Sequence, residues 1–302
     1  MSSGWVLLAL SSTLISALVN MLDSHFMTQR MPGMRAYILI CDLLTLPVSI
    51  VMLIAFPLPA GLGFAPLLAI FASTVASSLA IVLVLQAMKS EHVSRISPLI
   101  STSPVFVAVL AVLFLGDELG WQQWLAIAAV VTGAILVSFK TDKSGEAHFH
   151  LRPFVMLMTA SVLVAVSNVT NKYAMGYMSY WNSATLIFLI SSVMFLTVCV
   201  RRSVLSEIAS LKQRNFTIGV ALANQAVAIV ATLLAFWAVK LGPVALVSTV
   251  FNSKPLFIFA LAALAGRFAP RFLPQEHASR RVMLMRAGAT LLVVGGLVVM
   301  LV

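Results

Sequence analysis

The sequence predicts an all-α integral membrane protein whose ten transmembrane helices form two inverted five-helix repeats. Three observations lead to this fold class: the composition of the chain, the number of its long apolar runs, and an internal repeat between its two halves. Hydrophobic residues make up 61% of the chain and charged residues 9%, whereas soluble globular domains are about 45–50% apolar and about 25% charged. A water-soluble fold is therefore excluded.

Ten apolar runs are long enough to cross a bilayer, which takes roughly 20 mostly apolar residues. Each is expected to be a helix, because lipid cannot satisfy the backbone N–H and C=O groups of an irregular segment. Proline and glycine mark several of the breaks between runs, at Met31-Pro32-Gly33, 57–61, Gly116 and Gly242-Pro243. The predicted spans are 4–25, 36–56, 65–87, 93–115, 122–139, 153–172, 181–200, 217–239, 244–265 and 285–302. The longer connections, 140–152, 201–216 and 266–284, are charged and are expected to be solvated.

Basic residues concentrate on one side of this arrangement. The net charge is +10, and if the spans alternate, sixteen of the 19 Lys and Arg residues fall in or beside the loops that follow odd-numbered spans. Lys240 and Lys172 lie toward the other side. The positive-inside rule then predicts a multi-pass protein of a prokaryotic plasma (inner) membrane with both termini outside the cytoplasm. The same rule explains the positive charge without a nucleic-acid partner.

The internal repeat relates residues 87–106 to residues 238–257 without a gap, and superposes Pro104 on Pro255 and Lys89 on Lys240. A weaker match, shifted by 148 positions, relates Asp23 to Asn171. Five crossings are an odd number, so a second copy must start on the opposite side of the membrane, and transporters are built from such inverted repeats. The predicted halves are residues 1–145 and 146–302. General likeness between apolar helices is the alternative explanation.

These residues also carry a resemblance to a known family. The stretch 97–106, Ser-Pro-Leu-Ile-Ser-Thr-Ser-Pro-Val-Phe, continues to Leu115-Gly116-Asp117-Glu118 and a fifth span that contains Thr132-Gly133. It resembles the EamA-type ten-span members of the drug/metabolite transporter superfamily. The resemblance implies a transport fold and favours export. The family's substrates include amino acids, nucleotide-linked compounds and drugs, and the resemblance selects none of them. The second half departs from the motif, with Ala265-Gly266-Arg267 in place of the acidic exit.

Two ionisable residues fall deep within predicted spans. Lys254 lies near the middle of the ninth span, where a charge costs about 2.5–3.5 kcal/mol on insertion scales, so it is expected to face a cavity or a partner. Asp42 lies in the second span at a depth within about 6 Å of Lys254, counting 1.5 Å per residue. The two could form a pair that the substrate or a proton breaks. A purely structural ion pair is the alternative.

Amides within the apolar runs extend this candidate substrate site, which comprises Lys254, Asp42, Asn252, Asn168, Asn20, Asn224 and Gln225. Each amide alone could simply join two helices, but the set together favours a polar cavity. Pro104 and Pro255 are predicted gating or hinge positions, because proline removes one helical hydrogen bond. Asp23 lies near a span end, where contact with the interface is a sufficient explanation. Small residues such as Gly133 could pack helices within the chain or in a homodimer.

The sequence indicates no enzyme, because it has no Walker loop, no zinc-protease motif and no nucleophile elbow. Neither a cofactor nor a metal site is predicted, and Cys41 and Cys199 lie in apolar runs as buried thiols. The function predicted is secondary active transport of a small polar metabolite, an anion or an amino-acid-like solute, by alternating access, with a coupled proton or counter-substrate. The alternative is a flippase for a lipid or a lipid-linked headgroup. In either case the partners are the solute and membrane lipid.

Overall fold

The structure, a computed structural model, describes residues 4–29, 33–90, 102–138, 151–211 and 213–258, together with positions 260, 261, 288, 292 and 295. Its described helices are α1 (Gly4–Gln29), α2 (Met34–Ala55), α3 (Phe64–Ser90), α4 (Ser103–Leu115), α5 (Trp121–Ser138), α6 (Leu151–Ala174), α7 (Tyr180–Cys199), α8 (Arg202–Ala209), α9 (Arg214–Leu241) and α10 (Val244–Phe251).

Six of the described helices, α1, α2, α3, α6, α7 and α9, are long and apolar enough to cross a membrane. Two shorter apolar helices occur at Ser103–Leu115 and Val244–Ile258. Large apolar side chains project outward from the long helices; Ile54 and Phe64, for example, are each 77% exposed, as lipid-facing residues should be. The predicted tenth span, 285–302, lies outside the described residues except for helical positions 288, 292 and 295. The count of ten spans therefore stays a prediction.

The helices of the first half pack crosswise against those of the second. α1 lies against α9 and α10, and α6 lies correspondingly against α3 and α4. α2 packs against α7 and α9, and α3 also packs against α7. α4 and α10 contact one another directly. Most of the contact surface is thus shared between residues before and after the connection at 139–150.

The connection predicted to be a solvated loop at 201–216 contains a short helix, α8. Val204 is buried and Ile208, one turn later, is partly buried in an apolar cluster with Ala36, Leu39 and Cys199. Arg201, Arg202 and Ser206 are exposed. Val204 and Ile208 are four positions apart and therefore lie on the same side of the helix, where both can pack against α2. The segment is otherwise polar and charged, so its composition predicts a loop.

Two chain reversals use the glycines expected from the sequence. α4 ends at Gly116, whose φ of 69° is left-handed, and the following Asp117 N–H donates to the Ala111 carbonyl at 3.3 Å. Glycine is the residue that adopts this conformation without steric cost. Gly242 and Pro243 separate α9 from α10, as predicted.

Candidate functional site

One polar cluster joins α1, α2 and α9. The Asp23 Oδ1 atom accepts a hydrogen bond from the Tyr37 hydroxyl and a second from Asn224 Nδ2 at 2.6 Å. Asn224 Nδ2 also lies 3.4 Å from the Tyr37 oxygen. Hydrogen bonds to an ionised group are worth about 1.5–3 kcal/mol each. The carboxyl group of Asp23 is therefore held in one orientation by residues of α2 and α9.

Lys254 is a cation whose charge acts on this cluster. It is partly buried, and its charge interacts with that of Asp23. Within the part of the chain that the structure describes, Lys254 makes no hydrogen bond. A cation without a fixed hydrogen-bond partner keeps its donors available for a ligand.

Asp42 and Lys254 were predicted to pair; among the described groups, the charge of Lys254 interacts with that of Asp23. Asp42 instead accepts a hydrogen bond from Ser192 of α7 at 3.0 Å. The reason is the direction in which the side chains leave α2. Tyr37, which meets Asp23, and Asp42 are five residues apart, and five residues turn an α-helix by about 140° beyond a full revolution. The sequence predicts how deep a residue lies in the membrane, but it does not predict the direction in which the side chain leaves the helix.

Asn224 has one side-chain atom that the cluster leaves without a hydrogen bond. Its side chain is 3% exposed, and its Oδ1 atom is buried without a hydrogen-bond partner among the described residues. An unpaired buried acceptor costs about 1–3 kcal/mol. Its neighbour Gln225 donates from Nε2 to the Thr45 hydroxyl at 2.9 Å, and so binds α9 to α2.

The remaining predicted amides lie apart from Asp23. Asn252 donates to the Ser248 carbonyl at 3.1 Å within α10, and its Nδ2 atom lies 3.5 Å from Ser103 Oγ of α4. Asn168 is partly buried on α6, and Asn20 is exposed on α1. Of the predicted substrate residues, Asn224 donates a hydrogen bond to Asp23, and the charge of Lys254 interacts with that of Asp23. Asp42 and Gln225 have other partners, Ser192 and Thr45.

Both predicted hinge prolines lie in the first turn of a helical segment. Pro104 is the second residue of α4. After α10 ends at Phe251, Asn252 and Ser253 form a turn and helical backbone resumes at Lys254, so that Pro255 is again the second helical residue. Proline is tolerated there because the first N–H groups of a helix have no intrahelical partner. The turn directly precedes Lys254, which therefore begins the resumed helix.

A neutral residue, Asn171, makes a hydrogen bond similar to that of Asp23. Asn171 Oδ1 accepts a hydrogen bond from the Ser183 hydroxyl at 2.5 Å, as Asp23 accepts one from Tyr37. In both cases the acceptor is near the end of one helix and the donor near the start of the next. Sequence reasoning missed Asp23 and Tyr37 as site residues, although the alignment of Asp23 with Asn171 was the available signal.

A second group of charges lies where α6 and α9 end, away from the Asp23 cluster. Lys172 Nζ donates to the carbonyls of Val239 at 2.6 Å, Lys240 at 3.2 Å and Gly242 at 2.8 Å. Asp117, in the loop after α4, interacts with the Lys172 charge. Burial raises the pKa of Asp117, and the ammonium group of Lys172 opposes that rise. Lys172 thus caps the end of α9.

A metal site is not supported by the described part of the chain, which contains no group of three or more His, Cys, Asp or Glu side chains that could hold an ion. The free thiols, Cys41 and Cys199, lie on α2 and α7.

Residues 3–139 match the model of the EamA-like transporter family. An uncharacterized transporter in the cobO 3' region of Sinorhizobium sp is 40% identical over 53 residues, which are 18% of this chain and 38% of that protein. The matched part thus spans well under half the length of this curated relative. A protein of known crystal structure has the same fold, with a TM-score of 0.67 at 14% identity over 99% of this chain and 98% of its own.

Residues 3–139 of the chain are thus similar to the EamA-like transporter family, and several of the described helices are apolar and long enough to span a bilayer.

Proposed function

We propose that the protein is a secondary active transporter that moves a small polar metabolite by alternating access and binds it at Asp23, Asn224 and Lys254. The observation that carries the proposal is the combination of a partly buried cation, an oriented carboxyl group and an unpartnered buried acceptor among apolar helices. Charged residues within membrane spans are costly and mark solute pathways.

The chemistry of the three groups supports a solute that carries both donors and acceptors. Lys254 offers ammonium donors, which suit a carboxylate or another anionic group. The Asn224 Oδ1 atom accepts a donor and lies beside Asp23. The other predicted amides, Asn20, Asn168, Asn252 and Gln225, are proposed as residues that the solute meets along its path.

The packing supports two inverted repeats of five spans, residues 1–145 and 146–302. Exchanging α1 with α6, α2 with α7, α3 with α9 and α4 with α10 converts the observed set of major helix contacts into itself. Such an exchange is expected when two copies face each other across an axis in the membrane plane. The Asp23–Asn224 contact joins the two proposed halves, so relative movement of the halves would change it.

The basic loops support a prokaryotic inner-membrane location with both termini outside, and export is the direction that family analogy favours. Energy would come from a coupled proton or from counter-substrate exchange. A flippase of the same fold is the competing proposal, since the same two charges could pass a zwitterionic headgroup.

The test is a thermal-shift screen of purified protein against amino acids, organic anions, nucleotides, cationic amines and phospholipids. Wild type is compared with Lys254→Gln and with Lys240→Gln, a control whose lysine lies in the last turn of α9 and away from Asp23. A ligand that binds only the folded state raises its stability with occupancy. We expect one solute class to stabilise wild type and Lys240→Gln but to have no effect on Lys254→Gln.

That solute is then loaded into proteoliposomes, and entry of the labelled solute is followed by counterflow. Counterflow in wild type and its loss in Lys254→Gln would support transport through this site. Stabilisation by phospholipid alone would favour the flippase, and solute stabilisation that survives in Lys254→Gln would overturn the assignment of the site.

A further inference from the structure

The two intramembrane carboxyl groups have opposite surroundings. Asp23 has two hydrogen-bond donors on one oxygen and the Lys254 charge nearby. Asp42 has one donor, the neutral hydroxyl of Ser192, on Oδ1, and its Oδ2 atom is buried with no partner among the described residues. When two carboxyl groups differ in this way, their environments assign them to different protonation states.

The position of Asp42 removes it from water as well as from cations. Its side chain is 6% exposed and that of Ser192 is fully buried. Toward the start of α2, the contact with α7 is closed by the apolar cluster of Ala36, Leu39, Cys199 and Val204. Toward the end of α2 it is closed by a second cluster that includes Met52, Ala184 and Phe188. The Asp42 carboxyl thus lies between two apolar layers.

Beyond these layers, the contact between α2 and α7 is fastened at one end. Asn182 Nδ2 donates to the carbonyls of Phe56 at 2.8 Å and Pro57 at 3.1 Å. The Phe56 ring stacks on Trp181 with centroids 4.7 Å apart. These contacts hold the end of α2 against the start of α7.

The charged groups on the elements packed against α2 do not neutralise Asp42. α9 contributes Arg214 at its start, and α1 contributes Asp23. α8 contributes Arg202 and Glu207, and Arg201 directly precedes it. α2 itself has Arg35 and Tyr37. The described titratable groups that interact electrostatically with Asp42 are the thiols of Cys41 and Cys199. Among the described residues, the hydrogen-bond partner of Asp42 is the neutral Ser192 and no cation.

An isolated carboxylate in such surroundings is strongly disfavoured, and a buried group of this kind binds a proton instead of remaining charged. We propose that Asp42 is the proton-binding site of this protein and that the proton adds to Oδ2, the oxygen without a partner. The carboxylate and one proton give the neutral acid, while Oδ1 continues to accept the Ser192 hydrogen bond. Release of the proton restores the carboxylate and breaks no other covalent bond.

This site rests on the proposed transport function and gives it a coupling ion. The bond between Asp42 and Ser192 joins α2 to α7, so the proton binds at a contact between the proposed halves. A neutral carboxyl could move past the apolar layers when the halves rearrange, whereas a carboxylate could not. Protonation would therefore permit the movement, and the separate Asp23 cluster would bind the solute.

Infrared difference spectroscopy of the protein in lipid vesicles tests the proposal without any substrate. A protonated carboxyl group has a C=O stretching band that a carboxylate lacks. Spectra are recorded against pH for wild type, Asp42→Asn and Asp23→Asn, an isosteric control at the other carboxyl. We expect a titrating carboxyl band that is lost in Asp42→Asn and kept in Asp23→Asn.

A second variant keeps the assignment testable if Asp42→Asn does not fold. Ser192→Ala should shift the same band to higher frequency, because the carbonyl oxygen loses its hydrogen bond, and Ser192→Thr should restore it. The proposal is overturned if the band persists in Asp42→Asn, if it is lost in Asp23→Asn only, if it never titrates, or if Ser192→Ala leaves it unmoved. Because the titration uses protons alone, a failure of solute counterflow would count against the transport proposal and not against this one.

Discussion

Lys172 and Lys240 each bind the end of the helix that carries the other. Lys172, in the last turn of α6, donates to three carbonyls at the end of α9. Lys240, in the last turn of α9, donates to the carbonyls of Met175 and Met178 just after α6. The last carbonyls of a helix have no intrahelical partner, and a cation there also complements the helix dipole. The two helix ends are therefore tied together by mutual capping.

Removing either lysine should destabilise the protein without changing its fold. Lys172→Met leaves three carbonyls without this donor, and leaving a buried acceptor unpaired costs about 1–3 kcal/mol. We expect a lower midpoint of thermal unfolding in detergent for Lys172→Met, and a smaller decrease for Lys240→Met, whose lysine donates to two carbonyls. Equal midpoints for wild type and Lys172→Met would show that water or other groups replace the cap.

Gly242 is expected to be intolerant of alanine. A Cβ atom built there would lie 2.8 Å from two ring carbons of Trp5, and overpacking of this kind costs about 1–3 kcal/mol. Gly242→Ala should therefore lower the unfolding midpoint, and Trp5→Leu in the same chain should recover part of the loss. The matched control is Gly219→Ala within α9, where a Cβ atom would meet nothing within 4 Å and alanine favours the helix by about 0.5–1 kcal/mol.

Asp23 and Lys254 should show energetic coupling. Lys254→Met removes the cation that acts on Asp23, while Asp23→Asn leaves the cation without its acidic neighbour. Interacting residues give coupling energies of about 0.5–3 kcal/mol in a double-mutant cycle. We expect the double variant to be more stable than the sum of the two single changes predicts, as measured by thermal unfolding in the absence of ligand. Additive effects would mean that the two charges do not interact.

Much of the helical framework could be predicted from the sequence. The length of an apolar run indicates whether it can cross a membrane, and prolines and glycines indicate where helices end. α2 begins at Met34 and α9 at Arg214, within a few residues of the predicted boundaries at 36 and 217. α8 was not foreseen, because its fold depends on Val204 meeting a cluster built by α2 and α7. That contact is tertiary, and local composition does not encode it.

The candidate site was predicted less completely, for a geometric reason. Lys254 and Asn224 were recognised as polar residues inside apolar runs, but which residues they meet depends on the rotation of each helix about its axis. Asp23 was assigned to the interface because it lies near a span end, yet α1 continues to Gln29 and places Asp23 against Asn224. The helix length, more than the residue type, decided its surroundings.

The orientation in the membrane can be checked by cysteine labelling in a background without Cys41 and Cys199. Ala60→Cys lies in the exposed turn between α2 and α3, and Ser206→Cys on the exposed side of α8. If the basic loops face the cytoplasm, an impermeant maleimide added to intact cells should label Ala60→Cys at once and Ser206→Cys only after permeabilisation. Labelling in the reverse order would invert the proposed topology.

Asp117 should make stability depend on pH. Burial raises its pKa above the ordinary value of 3.8, so between the unfolded and folded pKa values the folded protein binds more protons than the unfolded chain. The free energy of unfolding changes with pH in proportion to the number of protons bound by the unfolded state minus the number bound by the folded state. In this window that difference is negative, so the free energy of unfolding falls as pH rises. Asp117 should therefore contribute a loss of stability as pH rises from about its unfolded pKa through its folded pKa.

The measurement is the thermal midpoint against pH for wild type, Asp117→Asn and Glu118→Gln, its exposed neighbour. Asp117→Asn should remove the decrease with rising pH, and Glu118→Gln should retain it. Lys172→Met should extend the decrease to higher pH, because the Lys172 charge opposes the rise in the Asp117 pKa. A profile for Asp117→Asn parallel to that of wild type would show that the loop after α4 exposes this carboxyl to water.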